Sequence, residues 1–176
     1  MRKSLCIPAL LAIFAFISPA KAQEETSKAD LYVGYDYLRV NSGGTAFNFN
    51  GGSGQLAYNV NPWLAVVGDL GGYYTSNGFG AGILSYLFGP RINFRRHRKF
   101  APFAHVLFGG GRTIVDSPQN TFAMSAGGGV DFKVSEHFAI RPIQAEYFRT
   151  NFTDGARNHQ NDFRYSAGIV FRFGTR

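Results

Sequence analysis

Residues 162–173 read Asp-Phe-Arg-Tyr-Ser-Ala-Gly-Ile-Val-Phe-Arg-Phe, DFRYSAGIVFRF. Side chains along a strand alternate between its two faces. Phe163, Tyr165, Ala167, Ile169, Phe171 and Phe173 therefore share one face. Asp162, Arg164, Ser166, Gly168, Val170 and Arg172 share the other. One face is aromatic and aliphatic, and the other is charged or small. The alternation runs well past the usual strand length of about five or six residues.

The pattern recurs upstream. It predicts eight strands near 30–40, 54–61, 63–74, 79–94, 100–113, 121–134, 137–150 and 161–173, with no helical period. In the first, Val33, Tyr35 and Tyr37 oppose Gly34, Asp36 and Leu38. In the third, Leu64, Val66 and Leu70 oppose Asp69. In the fourth, Tyr86, Phe88, Ile92 and Phe94 oppose Ser85, Arg91 and Asn93. Val106 and Phe108 oppose His105, and Met124, Val130 and Phe132 oppose Ser125, Asp131 and Lys133. The seventh stretch breaks parity, with Arg141 at an odd position and Gln144 and Glu146 at even ones. Proline cannot donate to a ladder, so Pro142 marks a bulge that returns all three polar residues to one face.

Period 2 does not itself say which face is inside. A soluble lipocalin-type barrel buries the apolar face, whereas a transmembrane barrel turns it outward and alternates short periplasmic turns with longer outer loops. The expected connections alternate in this way: 40–53, 75–78, 114–120 and 151–160 are long, while Asn61-Pro62, Arg95 to Lys99 and Ser135-Glu136 are tight. The polar face mixes glycine and serine with charges, as suits an interior barely wide enough for side chains. Trp63, Phe94, Phe100, Phe138 and Phe173 fall near the tight turns, and Tyr73, Tyr74, Phe122, Tyr147 and Phe163 near the long loops. Two aromatic belts are what two membrane interfaces favour. The reading is an all-β, eight-stranded antiparallel up-and-down transmembrane β-barrel.

The N-terminus has a basic start at Arg2 and Lys3, an apolar run from Leu5 to Ile17, and a small-residue exit at Ala20-Lys21-Ala22. That is the order of a secretory signal peptide. The expected organisation is a signal peptide at 1–22, a polar stub at 23–29 and a barrel at 30–174. Removal of the signal lowers the formal net charge from +7 and takes away Cys6, the one cysteine. No thiol, disulfide or cysteine metal site then remains, and export argues against a nucleic-acid partner.

Residues 166–173 follow the order polar-x-Gly-x-x-aromatic-x-aromatic. This resembles the C-terminal signal by which outer-membrane barrels are recognised for insertion, and the chain as a whole resembles the OmpA-like outer-membrane β-barrel family. Gly174-Thr175-Arg176 after the last aromatic depart from members that end on it, and the peptidoglycan-binding part of full-length OmpA is not implied. The resemblance implies an outer-membrane location in a Gram-negative-type bacterium, contact with outer-membrane lipids and a partner in the barrel-assembly machinery. It implies insertion-signal roles for Ser166, Gly168, Phe171 and Phe173.

Buried charges must be paired. An interior polar network is expected from Asp36, Asp69, Arg91, His105, Asp131, Lys133, Arg141, Glu146, Arg164 and Arg172, centred on Arg141 and Glu146 beside Arg91. Eight strands make no wide aqueous channel, so the expected function is a plugged barrel with a structural or surface-contact role, in adhesion or in the envelope, and not a general porin. A surface ligand would meet loops 40–53 and 151–160, which hold Phe47, Phe49, Arg157 and His159. The alternatives are a soluble ligand-binding barrel and a lipid-modifying enzyme. For the latter, His159 and Ser166 are seven residues apart and Ser166 faces the polar side, so no catalytic residue is assigned. The four histidines lack metal-ligand spacing. Gly109-Gly110-Gly111 and Gly127-Gly128-Gly129 lack the lysine of a phosphate loop, so no cofactor is expected. FRRHRKF (94–100) reads as a basic periplasmic turn, with Arg95, Arg96, Arg98 and Lys99 toward anionic headgroups.

Overall fold

The computed structural model describes residues 26–42, 45–75, 82–95, 99–114, 120–150 and 160–175. The expected signal peptide lies outside them. Eight strands form one closed antiparallel barrel in sequence order: β1 (Ser27–Ser42), β2 (Thr45–Asn59), β3 (Leu64–Tyr74), β4 (Gly82–Asn93), β5 (Phe100–Ile114), β6 (Asn120–Lys133), β7 (Phe138–Thr150) and β8 (Gln160–Thr175). β8 closes on β1, with Ala29 opposite Phe173 and Arg39 opposite Phe163. Closure leaves no unpaired strand edge, which hydrocarbon would not tolerate.

The apolar face points outward. Phe163 is 48% exposed, Tyr165 48% and Phe173 52%. From Phe173 to Phe163, a rise of about 3.3 Å per residue and a tilt of about 40° give an apolar band roughly 25 Å tall. A soluble barrel requires these rings inside, so that alternative falls. The parity break in β7 is a bulge, with the register shifting between Arg141 and Gln144 against β8 and between Val130 and Phe132 against β6. Pro142 and Ile143 are both exposed, and Arg141 and Gln144 both buried.

Tight turns close one end. Asn61 Oδ1 accepts hydrogen bonds from the Trp63 and Leu64 amides at 3.0 and 2.7 Å, which fixes the β2–β3 reversal. Ser135 Oγ accepts from the Phe138 amide at 3.2 Å in the β6–β7 turn. Outside this end, Phe100 meets Phe132 and Phe138 meets Phe171 edge to face, at 4.7 and 5.3 Å between centroids.

Three expectations need correction. The stub of 23–29 is too long, because β1 begins at Ser27, which pairs with Thr175. Residues 45–53 are not loop: β2 starts at Thr45, which faces Ser42 across the hairpin. Phe49 there is buried in the barrel, while Phe47 pairs with Val40 along the ladder. Tyr73 is not in an outer belt, because its ring is buried inside and only Tyr74 faces out. Arg157 and His159 lie outside the described residues.

Candidate functional site

The interior polar groups come from all eight strands. Asp36, Asp69, Arg91, His105, Asp131, Arg141, Glu146 and Arg164 are buried. Lys133 and Arg172 are only half-buried, near the periplasmic mouth. Cross-strand register sets several contacts directly: Glu146 faces Arg164, Gln55 faces Asp69 and Arg91 faces His105.

Two arginine centres form. Arg141 grips Asp131 bidentately, Nε to Oδ1 at 2.7 Å and Nη2 to Oδ2 at 3.1 Å. Arg91 Nη2 donates to the same Asp131 at 3.0 Å. The Phe103 ring centroid lies 3.6 Å from the Arg91 guanidinium and 4.3 Å from that of Arg141. Arg141 also lies over the Tyr32 ring, at 4.4 Å. Stacking on aromatic faces suits the weakly hydrated guanidinium.

The second centre is Arg164. Its Nε and Nη2 hold Glu146 at 2.5 and 2.8 Å, and its Nη1 and Nη2 hold Asp69 at 3.0 and 3.2 Å. Nη1 also donates to the Tyr73 hydroxyl at 2.7 Å, so all five guanidinium protons have acceptors. Glu146 Oε1 accepts from Ser125 Oγ at 2.6 Å and lies 2.7 Å from His105 Nε2. The Tyr73 hydroxyl donates in turn to Asp36 Oδ2 at 3.4 Å.

Two glutamines join the centres. Arg141 Nη1 donates to Gln144 and Gln55 at 2.7 and 2.8 Å. Gln144 Nε2 then donates to Glu146, and Gln55 Nε2 to Asp69, both at 2.8 Å. Arg141 and Glu146 are thus linked through Gln144 and not to each other, which revises the expected centre. The ties from Arg164 on β8 to Asp69 on β3, and from Arg141 on β7 to Gln55 on β2, run between strands that are not neighbours. They cross the lumen.

Gln55 and Tyr73 were absent from the expected network. Tyr73 shares parity with Asp69 on β3, and that was the signal available for it, whereas Gln55 shares parity with Ser53, which stood in the expected loop. A second cluster at the periplasmic mouth was also missed. Asp30 accepts from Ser27 Oγ, from Asn59 Nδ2 at 3.0 Å and from Arg95 Nη2 at 3.4 Å. Arg95 Nη2 also reaches Asn59 Oδ1 at 3.1 Å. Arg95 is therefore folded inward, its side chain 13% exposed, and does not point at headgroups as expected. Lys99 is exposed, while Arg96 and Arg98 lie outside the described residues.

Toward the outer end, Leu38, Val40, Phe49, Ala123 and Phe148 pack with the Tyr73 ring, and Asp162 and Thr150 are buried at the same level. Ser166 is buried on the lumen side, away from lipid. Among the described residues no group of three His, Cys, Asp or Glu side chains could hold a metal ion.

The family described as outer membrane protein beta-barrel domain matches residues 9–174. Neisserial surface protein A has the same fold, with a TM-score of 0.74 and 16% identity over 85% of this chain and 100% of its own. Ail, the attachment invasion locus protein of Yersinia pestis, has a TM-score of 0.59 and 16% identity over 84% of this chain and 99% of its own. The N-terminal β-barrel domain of Pseudomonas aeruginosa OprF has a TM-score of 0.53 and 13% identity over 85% and 100%. No curated protein matches by sequence. With the match spanning nearly every residue, the chain belongs to the outer membrane protein β-barrel domain family, and the bilayer that its apolar exterior requires is the outer membrane of a Gram-negative cell.

Proposed function

We propose that this protein is a small, non-enzymatic outer-membrane barrel whose lumen is plugged and whose role is structural or surface contact. The observation that carries the reading is the pair of arginines tied across the lumen, Arg164 to Asp69 and Arg141 to Gln55. A continuous water path through this layer would have to break charge-assisted hydrogen bonds that are each stronger than neutral ones. Above it, the side chains of Leu38, Val40, Phe49 and Phe148 are buried inside the barrel and offer an ion little in exchange for its hydration shell.

The remaining roles fit the same reading. Residues 1–22 serve as the export signal, and Ser166, Gly168, Phe171 and Phe173 as the insertion signal read by the assembly machinery. With 45–53 in the ladder, surface contact falls to the connections around 76–81, 115–119 and 151–159. Ail, which shares the fold, has been crystallised with the heparin analogue sucrose octasulfate. That fact concerns Ail, and an anionic surface ligand for this chain is a hypothesis to test.

The experiment is conductance in planar bilayers with the refolded protein. Wild type should give no stable porin-like openings, whereas Arg164→Ala combined with Arg141→Ala should give measurable events. Sustained large conductance from wild type would overturn closure of the lumen.

A further inference from the structure

The charges inside the barrel are sorted along its axis. Arg164 stands on the outer side with the buried carboxylates Asp36, Asp69, Glu146 and Asp162. The periplasmic half reverses the balance. Arg91, Arg95, Lys133, Arg141 and Arg172 lie there, and the buried carboxylates are Asp30 and Asp131. Both carboxylates are fully used. Asp131 accepts from Arg91 at 3.0 Å and from Arg141 at 2.7 and 3.1 Å, and Asp30 accepts from Ser27, Asn59 and Arg95. Glu136, in the β6–β7 turn at the same end, is exposed and forms no ion pair among the described residues.

Part of this cationic set has donors to spare. Lys133 and Arg172 pair with no carboxylate among the described residues. Arg91, only 2% exposed, has an Nε without an acceptor there, and so has Arg172. These groups gather around Asp131. Arg91 is bonded to it, Lys133 is the next inward-facing residue along β6, and Arg172 lies within electrostatic reach of it. Along the barrel wall Lys133 faces Ala139 and Ala139 faces Val170, with Arg172 two residues further toward the periplasm. A strand spacing of about 4.8 Å and a rise of about 3.3 Å put the Lys133 and Arg172 Cα atoms about 12 Å apart along the wall, both side chains turned into the lumen. Both are half-buried, so the space between them opens to the periplasm. A concave, low-dielectric mouth lined by one sign of charge focuses its field on that space.

We propose that Lys133 and Arg172, with Arg91 behind them, form a vestibule at the periplasmic mouth that binds a small soluble oxyanion, inorganic phosphate or a phosphate monoester. A guanidinium fork matches two phosphate oxygens, and a lysine ammonium adds a point charge. Such an anion offsets the positive charge that Asp30 and Asp131 leave over. The Arg141–Asp131 contact fills the barrel above, so the vestibule is shallow and takes only a small ligand. Its groups face the lumen and not the lipid side of the strands, so the anion arrives from the periplasm. The site goes beyond closure of the lumen, because nothing has to cross the barrel for it to fill.

Calorimetric titration of the refolded protein in a nonionic maltoside detergent, at constant ionic strength, tests it. The probes are inorganic phosphate, glycerol 3-phosphate, glycerol and chloride. Wild type should bind the two phosphates saturably and at least tenfold more tightly than chloride, and should not bind glycerol. Lys133→Gln with Arg172→Gln should lower phosphate affinity at least tenfold, and each single change at least threefold. Lys99→Gln removes the same charge from the exposed rim at the same end and should leave the affinity unchanged. Retained heat-modifiable migration shows that each variant is folded. No saturable phosphate binding by wild type, or an equal loss in Lys99→Gln, would overturn the proposal. Full displacement of phosphate by phosphatidylglycerol added to the micelles would overturn it by assigning these cations to a lipid. Binding that appears only after Glu24→Gln with Glu25→Gln would overturn it by showing that the chain's own acids fill the vestibule.

Discussion

Replacing Arg164 with methionine should be among the most damaging single changes in the barrel interior. The methionine keeps most of the volume and removes the charge. Asp69 and Glu146, both essentially inaccessible to solvent, would each lose two charge-assisted hydrogen bonds, and the Tyr73 hydroxyl would lose its donor. Removing one partner of a buried ion pair costs about 3–5 kcal/mol, and Arg164 serves two carboxylates. The expected loss is at the top of that range, about 4–5 kcal/mol, or roughly three decades in the folding equilibrium. The assay is urea unfolding in lipid vesicles followed by fluorescence of Trp63, the one tryptophan, which is exposed at the periplasmic aromatic ring. Most of the damage comes from stranded negative charge, so Arg164→Met combined with Asp69→Asn and Glu146→Gln should recover at least half of it. A loss below about 1 kcal/mol for the single variant, or no recovery in the triple variant, would mean that water already solvates these groups and that the lumen is not sealed here.

The barrel wall can be probed in the same assay. A β-carbon on Gly168 would come within 2.2 Å of the Val33 carbonyl oxygen and 2.9 Å of the Tyr32 ring, so Gly168→Ala should cost about 1–3 kcal/mol. Gly68→Ala meets nothing within 4 Å and should stay within about 0.5 kcal/mol of wild type. Ile169→Arg puts a charge near the middle of the exterior band and should cost about 2–4 kcal/mol, whereas Phe163→Arg near the outer edge should cost about 0–1 kcal/mol; equal costs would contradict the placement of the bilayer. At the periplasmic mouth, Arg95→Ser should lower stability by about 1–3 kcal/mol by leaving Asp30 short of a donor, and Lys99→Ser should leave it unchanged.

The sequence was legible where one period ran uninterrupted through the bilayer. In β8, the alternation from Phe163 to Phe173 assigns every side chain to a face, because lipid outside and charge inside leave no other arrangement. The β7 bulge was legible for a related reason: Pro142 cannot donate to a ladder, and Arg141, Gln144 and Glu146 must all reach the lumen. Pairings across the lumen were not legible. Arg164 meets Asp69 three strands away, a contact set by barrel radius and strand stagger, to which no local pattern refers. Tyr73 and Tyr74 point opposite ways, and two adjacent tyrosines do not reveal which one serves the membrane.

The hairpin at 40–53 failed for a deeper reason. Along β1 and β2, the polarity of the two faces exchanges near the outer rim. Asp36 is inside and Tyr35 outside, but two residues further out Leu38 is inside, followed by exposed Arg39 and buried Val40. On β2, exposed Leu56 and buried Gln55 give way to exposed Asn50 and buried Phe49. β7 does the same, from exposed Tyr147 over buried Glu146 to exposed Arg149 beside buried Phe148. The side-chain period stays at two throughout while the solvent on the outer face changes from hydrocarbon to headgroups and water. A search for aliphatic positions on one fixed face therefore stops where the bilayer stops, although the strand does not. The point of exchange locates the outer membrane boundary on these three strands from sequence and burial together. It is also why the exposed arginines and the inward apolar side chains occur at the same height: both follow from a strand that has left the hydrocarbon and still needs a buried side.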